Sequence, residues 1–155
     1  MIRRSAASRV ALAAALLLLP LAARLGAQAT RAVANETDLL NGPGGIQLLH
    51  LLKGTPLAVR PGKGGGMEAT IEGWIPANAL HDDKREGFDV SVLPAAGTTL
   101  RDKPGGSPLA SARLGALFDR IEVKSNWVHV KRTGWVASAA FAAPAPAKSP
   151  PPPPP

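Results

Sequence analysis

Three tryptophans and one charged pair are the residues best suited to hold a ligand. Trp74 and Trp135 each follow a glycine, and Trp127 stands shortly before Trp135. Aromatic side chains have the large, stiff, amphipathic surface that binding hot spots require. Arg101 and Asp102 precede a Pro-Gly-Gly turn, and a guanidinium can hold a peptide carboxylate with two parallel hydrogen bonds. These residue types favour recognition of a ligand.

Each of these candidates also has a purely structural interpretation. Trp74 and Trp135 could pack on the fold, with the preceding glycine allowing close backbone approach. Arg101 and Asp102 could belong to the chemistry of their turn. Trp127 has no counterpart in the first half of the chain, and this asymmetry tilts it toward ligand contact.

Catalysis and metal binding have little support in the sequence. The chain has no Cys, which excludes a thiol nucleophile, a disulfide scaffold and Cys-ligated zinc. Its serines lack the G-x-S-x-G pattern, and its acids form no recognisable catalytic pair. His50, His81 and His129 are isolated, and residues 62–66 lack the spacing of a phosphate-binding loop. We therefore expect no enzyme activity, no metal and no cofactor.

Residues 1–29 have the pattern of a secretory signal peptide. Arg3, Arg4 and Arg9 precede an apolar run over residues 10–23, and Ala27-Gln28-Ala29 matches a small–x–small cleavage pattern. We expect a helical leader, cleavage after Ala29 and an exported protein, periplasmic or extracellular, with no stable membrane span after cleavage. Without the four Arg of this segment, 14 basic and 11 acidic residues remain, a net charge of +3. No basic stripe with interleaved aromatics remains, so we expect no nucleic-acid partner.

The chain ends in a proline-rich tail at residues 144–155, with six consecutive prolines. Proline lacks an N–H and fixes φ, so we expect a disordered, solvated polyproline segment. It could act as a spacer or as a ligand for an aromatic groove on a partner.

The two halves of the remaining chain match each other at an offset of 61 residues. Leu39 to Gly45 aligns with Leu100 to Gly106, and Gly73-Trp74-Ile75 aligns with Gly134-Trp135-Val136. Between these anchors the offset changes to 64. We interpret this as a tandem repeat, with a first domain at 30–81, a linker at 82–87 and a second domain at 88–143.

Short alternating apolar patterns predict an all-β fold. Phe88, Val90 and Val92 alternate with polar residues, and Val128 and Val130 flank His129. Period-two alternation bounded by Gly and Pro indicates strands joined by turns. A domain this small buries a limited core, and closing its sheet removes exposed edges. We therefore expect two small barrels in tandem.

The second half resembles the bacterial SH3-like domain. The similarity lies in the segments 99–105, 121–123, 126–130 and 134–136, closed by Phe141. The first half keeps Pro43-Gly44 and the Gly-Trp-Ile strand, but departs at Leu40, and at Gly66-Met67 where a Trp is expected. The resemblance implies SH3-like barrels and a non-enzymatic module that binds cell-wall peptides or positions a partner enzyme.

Export and this resemblance together lead to two hypotheses. In the first, an aromatic groove lined by Trp127 and Trp135 binds cell-wall peptide or glycopeptide, with Trp74, Arg101 and Asp102 as further contacts. In the second, the protein is an adaptor that docks an envelope protein through its barrels and its proline tail. A mainly structural role is the third interpretation.

Overall fold

The computed structural model describes residues 28–141. The predicted signal peptide, apart from its last two residues, and the predicted proline tail lie outside the described residues. Residues 28–141 contain no α-helix, and no helix in that range is long and apolar enough to cross a membrane. Ala29, the residue before the predicted cleavage point, is the first residue of a strand.

The described residues form eleven β-strands and three short 3-10 turns, which confirms the predicted all-β class. The strands in the first half are β1 (Ala29–Ala32), β2 (Thr37–Leu40), β3 (Gln47–Leu51), β4 (Pro56–Pro61), β5 (Gly66–Pro76) and β6 (Leu80–Arg85). Those in the second half are β7 (Phe88–Val92), β8 (Thr98–Arg101), β9 (Pro108–Ala112), β10 (Leu117–Lys124) and β11 (Trp127–Ala137). The 3-10 turns are Lys63–Gly65, Ala77–Ala79 and Ser138–Phe141.

Six strands close into one antiparallel barrel. They follow the order β5-β8-β9-β3-β2-β11, and β11 pairs with β5 to complete the circle. Each half of the chain contributes three of these strands. β4 and β1 extend the sheet beside β5, while β10, β7 and β6 extend it beside β11.

This shared barrel replaces the two separate barrels predicted for residues 30–81 and 88–143. The physical reason lies in the two long strands. β4 pairs with one edge of the 11-residue β5, at residues 67–70. The opposite edge of β5 has no hydrogen-bond partner from its own hairpin. β11 pairs with that edge from residue 66 to residue 76. Because backbone N–H and C=O groups in a core must be hydrogen-bonded, the long strands of the two halves pair with each other.

The short hairpins are exchanged between the halves in the same way. Trp74 on β5 pairs with Arg101 on β8, and Trp135 on β11 pairs with Leu40 on β2. The two pairings involve positions that correspond at the 61-residue offset. β5 therefore pairs with the β8–β9 hairpin of the second half, and β11 pairs with the β2–β3 hairpin of the first half.

Gly73 and Gly134 permit these two crossings. A Cβ at Gly73 would lie 2.7 Å from the Arg101 carbonyl oxygen, and one at Gly134 would lie 2.6 Å from the Leu40 carbonyl oxygen. Real Cβ atoms do not approach backbone so closely. The glycine before each tryptophan is thus required by a close strand approach.

The predicted linker at 82–87 belongs to a hairpin. β6 pairs with β7 through His81–Ser91 and Asp82–Val90. Its turn is Glu86-Gly87, with φ of 53° and 86°, the left-handed conformation that two-residue hairpins favour. The segment therefore continues the sheet.

The core fills the barrel with alternate residues of the two long strands and their neighbours. Fully enclosed side chains are Leu39, Leu49, Leu51, Leu57, Val59, Ile71, Ile75, Val90, Val92, Leu100, Phe118, Val130 and Val136. Val90, Val92, Val128 and Val130 are buried as the alternation predicts, but Ser91, expected on the other face, is buried as well and Phe88 is only half-buried. Burying one face of β5 and β11 forces their other side chains outward.

Candidate functional site

The outward side of the β5–β11 pair carries all three tryptophans. We call this surface the tryptophan face. Its cross-strand pairs run from Trp127 opposite Pro76 at one end to Trp135 opposite Glu68 at the other. The outward side chains are Glu68, Thr70, Glu72, Trp74, Trp127, His129, Lys131, Thr133 and Trp135. Near its centre the hydroxyls of Thr70 and Thr133 are 2.8 Å apart and hydrogen-bonded.

A groove of about 830 Å³ lies beside Trp135. This Trp135 groove is lined by Asn41, Gly42, Pro43, Arg60, Pro61, Gly62, Lys63, Glu68, Thr133, Gly134 and Trp135. Its walls combine an indole ring and two prolines with backbone and charged groups. Such a mixture suits an extended peptide, since the aromatic surface supplies contact area and the polar groups fix orientation.

The indole of Trp135 is held in place by the loop beneath it. Its Nε1–H donates to the Lys63 carbonyl oxygen at 3.2 Å, and its ring lies over Gly66, where a Cβ would come within 2.1 Å of the ring. The sequence comparison expects a Trp near Gly66; the structure instead uses the absence of a side chain there to seat Trp135. Ser138 secures the same loop by donating to the Gly65 carbonyl oxygen.

Charged groups border the Trp135 groove. Arg60 and Glu68 form an ion pair across β4 and β5, while Lys63 has no ion-pair partner within residues 28–141. The groove therefore has one cation in excess, which favours a ligand with an acidic group.

Trp74 lies at the corresponding place on the tryptophan face but in different surroundings. Its ring stacks on His129, with centroids 4.7 Å apart and planes 9° from parallel. The His129 side chain is only 20% exposed and stands between two carboxylates, 3.6 Å from Glu72 and 3.8 Å from Glu122. His129 points outward as predicted, but it is engaged rather than isolated.

Trp127 does not line the Trp135 groove. The two residues share one face of β11, but eight residues separate them, about 26 Å along a strand. Trp127 is half-buried next to the β10–β11 turn, opposite Lys124 and Pro76. The structure thus does not bring together the two tryptophans that the sequence analysis placed in one groove.

Arg101 and Asp102 lie at the end of β8, and Arg101 is the backbone partner of Trp74. Arg101 Nη1 donates to the Gly106 carbonyl oxygen at 2.8 Å, and Asp102 N donates to the Ser107 carbonyl oxygen at 3.1 Å. The guanidinium thus spans its own turn. This geometry favours the structural interpretation of the pair.

A second groove, of about 510 Å³, contains charged residues that the sequence analysis missed. We call it the Arg132 groove, and its lining includes Arg85, Glu86, Arg113 and Arg132. A signal for Arg132 exists in the sequence. It occupies an inward position in the alternation of β11, where the neighbouring inward residues Val130 and Val136 are enclosed.

His50 joins two acids on β2–β3 and the preceding turn. Its Nδ1 lies 2.9 Å from Asp38 Oδ1, and its Nε2 lies 3.6 Å from Glu36. The hydrogen bond to Asp38 is the main cause that raises the pKa of His50, and desolvation opposes it. No group of three or more His, Cys, Asp or Glu side chains within residues 28–141 is arranged to hold a metal ion.

Comparison with known proteins identifies no relative. No protein-family model, curated protein or solved structure matches the chain. We therefore infer the function from the geometry of the two grooves and from the sequence patterns.

Proposed function

We propose that this chain is an exported, non-enzymatic binding module that holds an extended peptide, of the cell-wall peptide or glycopeptide class, in the Trp135 groove. The observation that supports it most is the fixed indole of Trp135, which lines an open groove of about 830 Å³ together with Pro43 and Pro61. An aromatic side chain that is already ordered loses little conformational entropy on binding.

Each part of the groove has a role in this proposal. The Trp135 ring and the two prolines cover apolar parts of the peptide. Lys63 pairs with an acidic group of the ligand, and the Arg60–Glu68 pair offers one donor and one acceptor at the border. Trp127, at the far end of the tryptophan face, is not needed for this contact.

Export depends on the signal-peptide pattern of residues 1–29. It would deliver the protein to the periplasm or the cell exterior, where wall peptide is available. Resemblance to the bacterial SH3-like domain supports the same ligand class. In both halves the Gly-Trp strand is followed directly by a 3-10 turn, at Ala77–Ala79 and at Ser138–Phe141, so in this proposal each half descends from one SH3-like unit with its short hairpin exchanged.

Retention on insoluble wall material tests this function. We expect the purified chain to co-sediment with wall sacculi and Trp135→Ala to lose about tenfold or more in retention, as for a binding hot spot. Trp127→Ala is the matched control and should be retained like the wild type. Circular dichroism of each variant checks the fold. Equal retention of wild type and Trp135→Ala would exclude the Trp135 groove.

One observation favours the second function, an adaptor for an envelope protein. β10 pairs with β7 only at Leu117 and Phe118, and Arg120 N donates to Asp89 Oδ2 at 3.1 Å, so residues 121–124 have one open edge within residues 28–141. Ile121 and Val123 on this part are 44% and 59% exposed. An open edge with apolar side chains suits strand addition by a partner protein.

Separate variants distinguish the two functions. Ile121→Lys combined with Val123→Lys should abolish capture of an envelope protein partner but leave wall retention unchanged. Deleting residues 144–155 tests whether the proline tail contributes to that capture. If the double variant also loses wall retention while it remains folded, then the edge of β10 belongs to the wall-binding surface.

A further inference from the structure

Arg132 is a buried cation whose hydrogen-bonding capacity is largely unused. It is 9% exposed. Its Nη1 donates to the Leu117 carbonyl oxygen at 3.0 Å, and its guanidinium carbon lies 3.9 Å from the centroid of the Phe88 ring. Its Nε is buried and has no hydrogen-bond partner. Enclosing a cation with an unmet donor costs free energy, so this residue departs from what the core alone requires.

Comparison at the 61-residue offset isolates what is special about the Arg132 groove. The change of offset to 64 expected from the sequence is wrong for this region, because β5 and β11 correspond at 61 over their whole length and the positive-φ glycines Gly54 and Gly115 are also 61 apart. The positions that correspond to Arg132 and Arg113 are therefore Ile71 and Leu52, and both cations line the groove. The position that corresponds to Ala116 is Thr55. Three changes at corresponding positions thus convert one apolar, closed region into a cationic, open one.

Hydrogen bonds close the corresponding region in the first half. Leu52 N donates to the Leu109 carbonyl oxygen at 2.9 Å, and the buried hydroxyl of Thr55 donates to the same oxygen at 2.5 Å. In the Arg132 groove no equivalent bond joins Arg113 N to the Leu48 carbonyl oxygen, and Ala116 has no hydroxyl. The groove of about 510 Å³ lies where these contacts are missing.

The charges of the Arg132 groove favour a single negative charge. The side chain of Arg113 has no hydrogen-bond or ion-pair partner within residues 28–141, although its backbone carbonyl accepts from Ala116 N at 3.1 Å. Arg85 is paired with Asp83 at 2.9 Å, and Glu86 contributes one carboxylate to the lining. Burial lowers the pKa of Arg132, and Asp119 and Glu86 oppose that shift; an arginine nevertheless stays charged at neutral pH.

The rim of the groove is apolar. Ile46 and Leu114 belong to its lining and are 71% and 58% exposed, among the most exposed large apolar side chains of residues 28–141. Leu48 continues this surface inward. A ligand that pairs with the cations would therefore place apolar groups beside its charge.

We propose that the Arg132 groove is a second binding site, which takes the C-terminal carboxylate of a peptide that ends in small or medium apolar residues. The carboxylate accepts from Arg132 and Arg113, and the apolar end of the peptide covers Ile46 and Leu114. Two guanidinium groups suit a planar carboxylate. A phosphate dianion is disfavoured because Glu86 adds a negative charge to the lining. This site is independent of the Trp135 groove.

Titration with a defined pair of probes tests the proposal. The probes are N-acetyl-Ala-Leu with a free carboxylate and the same dipeptide as its C-terminal amide, followed in ¹H–¹⁵N spectra of the full chain. We expect the acid to shift the Arg132 Nε–H resonance, because a carboxylate beside the groove-facing part of the guanidinium perturbs the whole delocalised group, although Nε itself is too buried for direct contact. The amide and inorganic phosphate at equal concentration should shift it at least about tenfold more weakly, the loss expected when a hydrogen bond between charged groups is removed.

The test variants replace residues of the Arg132 groove with the residues found at the corresponding positions of the first half. Arg113→Leu and Ala116→Thr should each weaken binding of the acid by about tenfold. The first substitution removes a cation, and the second fills the gap. Lys53→Leu, which removes an exposed cation that lines neither groove, is the matched control and should bind the acid normally. Equal shifts from acid and amide, equal shifts from phosphate, or full binding by Arg113→Leu would overturn the proposal. Wall retention is measured in parallel, so that failure of either site is recognised separately.

Discussion

Ile71 on β5 and Arg132 on β11 are direct register partners across the centre of the long strand pair, and they are also 61 residues apart in the sequence. His50 and Ser111 have the same relationship on β3 and β9. Strand pairing in the barrel is therefore approximately two-fold symmetric about these two pairs. Because Ile71 is enclosed while Arg132 borders a groove, the symmetry is broken where a charge enters the core.

Replacing Arg132 should separate its packing from its charge. Arg132→Met keeps the length of the side chain over Phe88, and we expect a loss of less than about 1 kcal/mol in the free energy of unfolding, because removing a buried charge offsets the lost hydrogen bond. Arg132→Ala also leaves a cavity and should lose about 2–3 kcal/mol. Urea denaturation measures both. A larger loss for the Met variant than for the Ala variant would contradict this account of the side chain.

The crossings at Gly73 and Gly134 lead to a second prediction. Gly73→Ala and Gly134→Ala should each lower the free energy of unfolding by about 2 kcal/mol or more, since the new Cβ meets a backbone carbonyl oxygen of the exchanged hairpin. Gly42→Ala is the control, because a Cβ there has nothing within 4 Å and should change stability by less than about 0.5 kcal/mol. Denaturant midpoints compare the three variants. Unchanged midpoints for the first two would mean that the strands do not approach so closely.

Local sequence patterns predict strands well and their partners poorly in this protein. Alternation identifies the buried positions Val128 and Val130, because that part of β11 has one face in the core. It finds Val90 and Val92 but not Ser91 between them, which is also buried. The exchange of hairpins leaves no local signal, since the glycine at 73 or 134 is needed whether the crossing hairpin comes from the same half or the other. The same local sequence pattern is therefore expected for two separate barrels and for one shared barrel.

The candidate site shows the same limit. The Gly-Trp motifs of the sequence single out Trp74 and Trp135 as candidate residues, and the structure places both on the tryptophan face. The Trp135 groove depends on Pro43, on the neighbouring Arg60 and Lys63, and on Trp135, and these three separate segments come together only on folding. Alternation along β11 correctly puts Trp127 and Trp135 on the same side of the strand, but it does not show that the distance between them keeps Trp127 out of this groove.

His50 should make stability depend on pH. Its hydrogen bond to Asp38 raises its pKa above the ordinary value of 6.5, and Glu36 contributes in the same direction. Protonated His50 thus stabilises the fold fully below pH 6.5, and this contribution disappears as the pH rises through the raised pKa. The effect is modest and weakened by salt, because the His50 side chain is 41% exposed.

Two measurements check this dependence. NMR titration of the His50 ring should give a pKa above that of a model peptide, and Asp38→Asn should return it toward the ordinary value. Denaturation of the wild type between pH 5.5 and 8 should show a small loss of stability that His50→Gln lacks. A pKa of His50 at or below the ordinary value would refute the role assigned to Asp38.

The shared barrel should unfold as one cooperative unit. β5 and β11 pair along residues 66–76 and 127–137, so neither half can lose its long strand without exposing the core of the other. Two independent barrels could instead unfold at different urea concentrations.

In a variant that retains Trp74 alone and one that retains Trp135 alone, with the other tryptophans changed to Phe, fluorescence should give one transition each. Since separate substitutions shift midpoints, each fluorescence curve is compared with the circular dichroism curve of the same variant, and the two should coincide. Adding Gly134→Ala should then move both reporters together, although its contact lies beside Trp135 only. A transition of Trp74 that ignores Gly134→Ala would show that the halves fold separately.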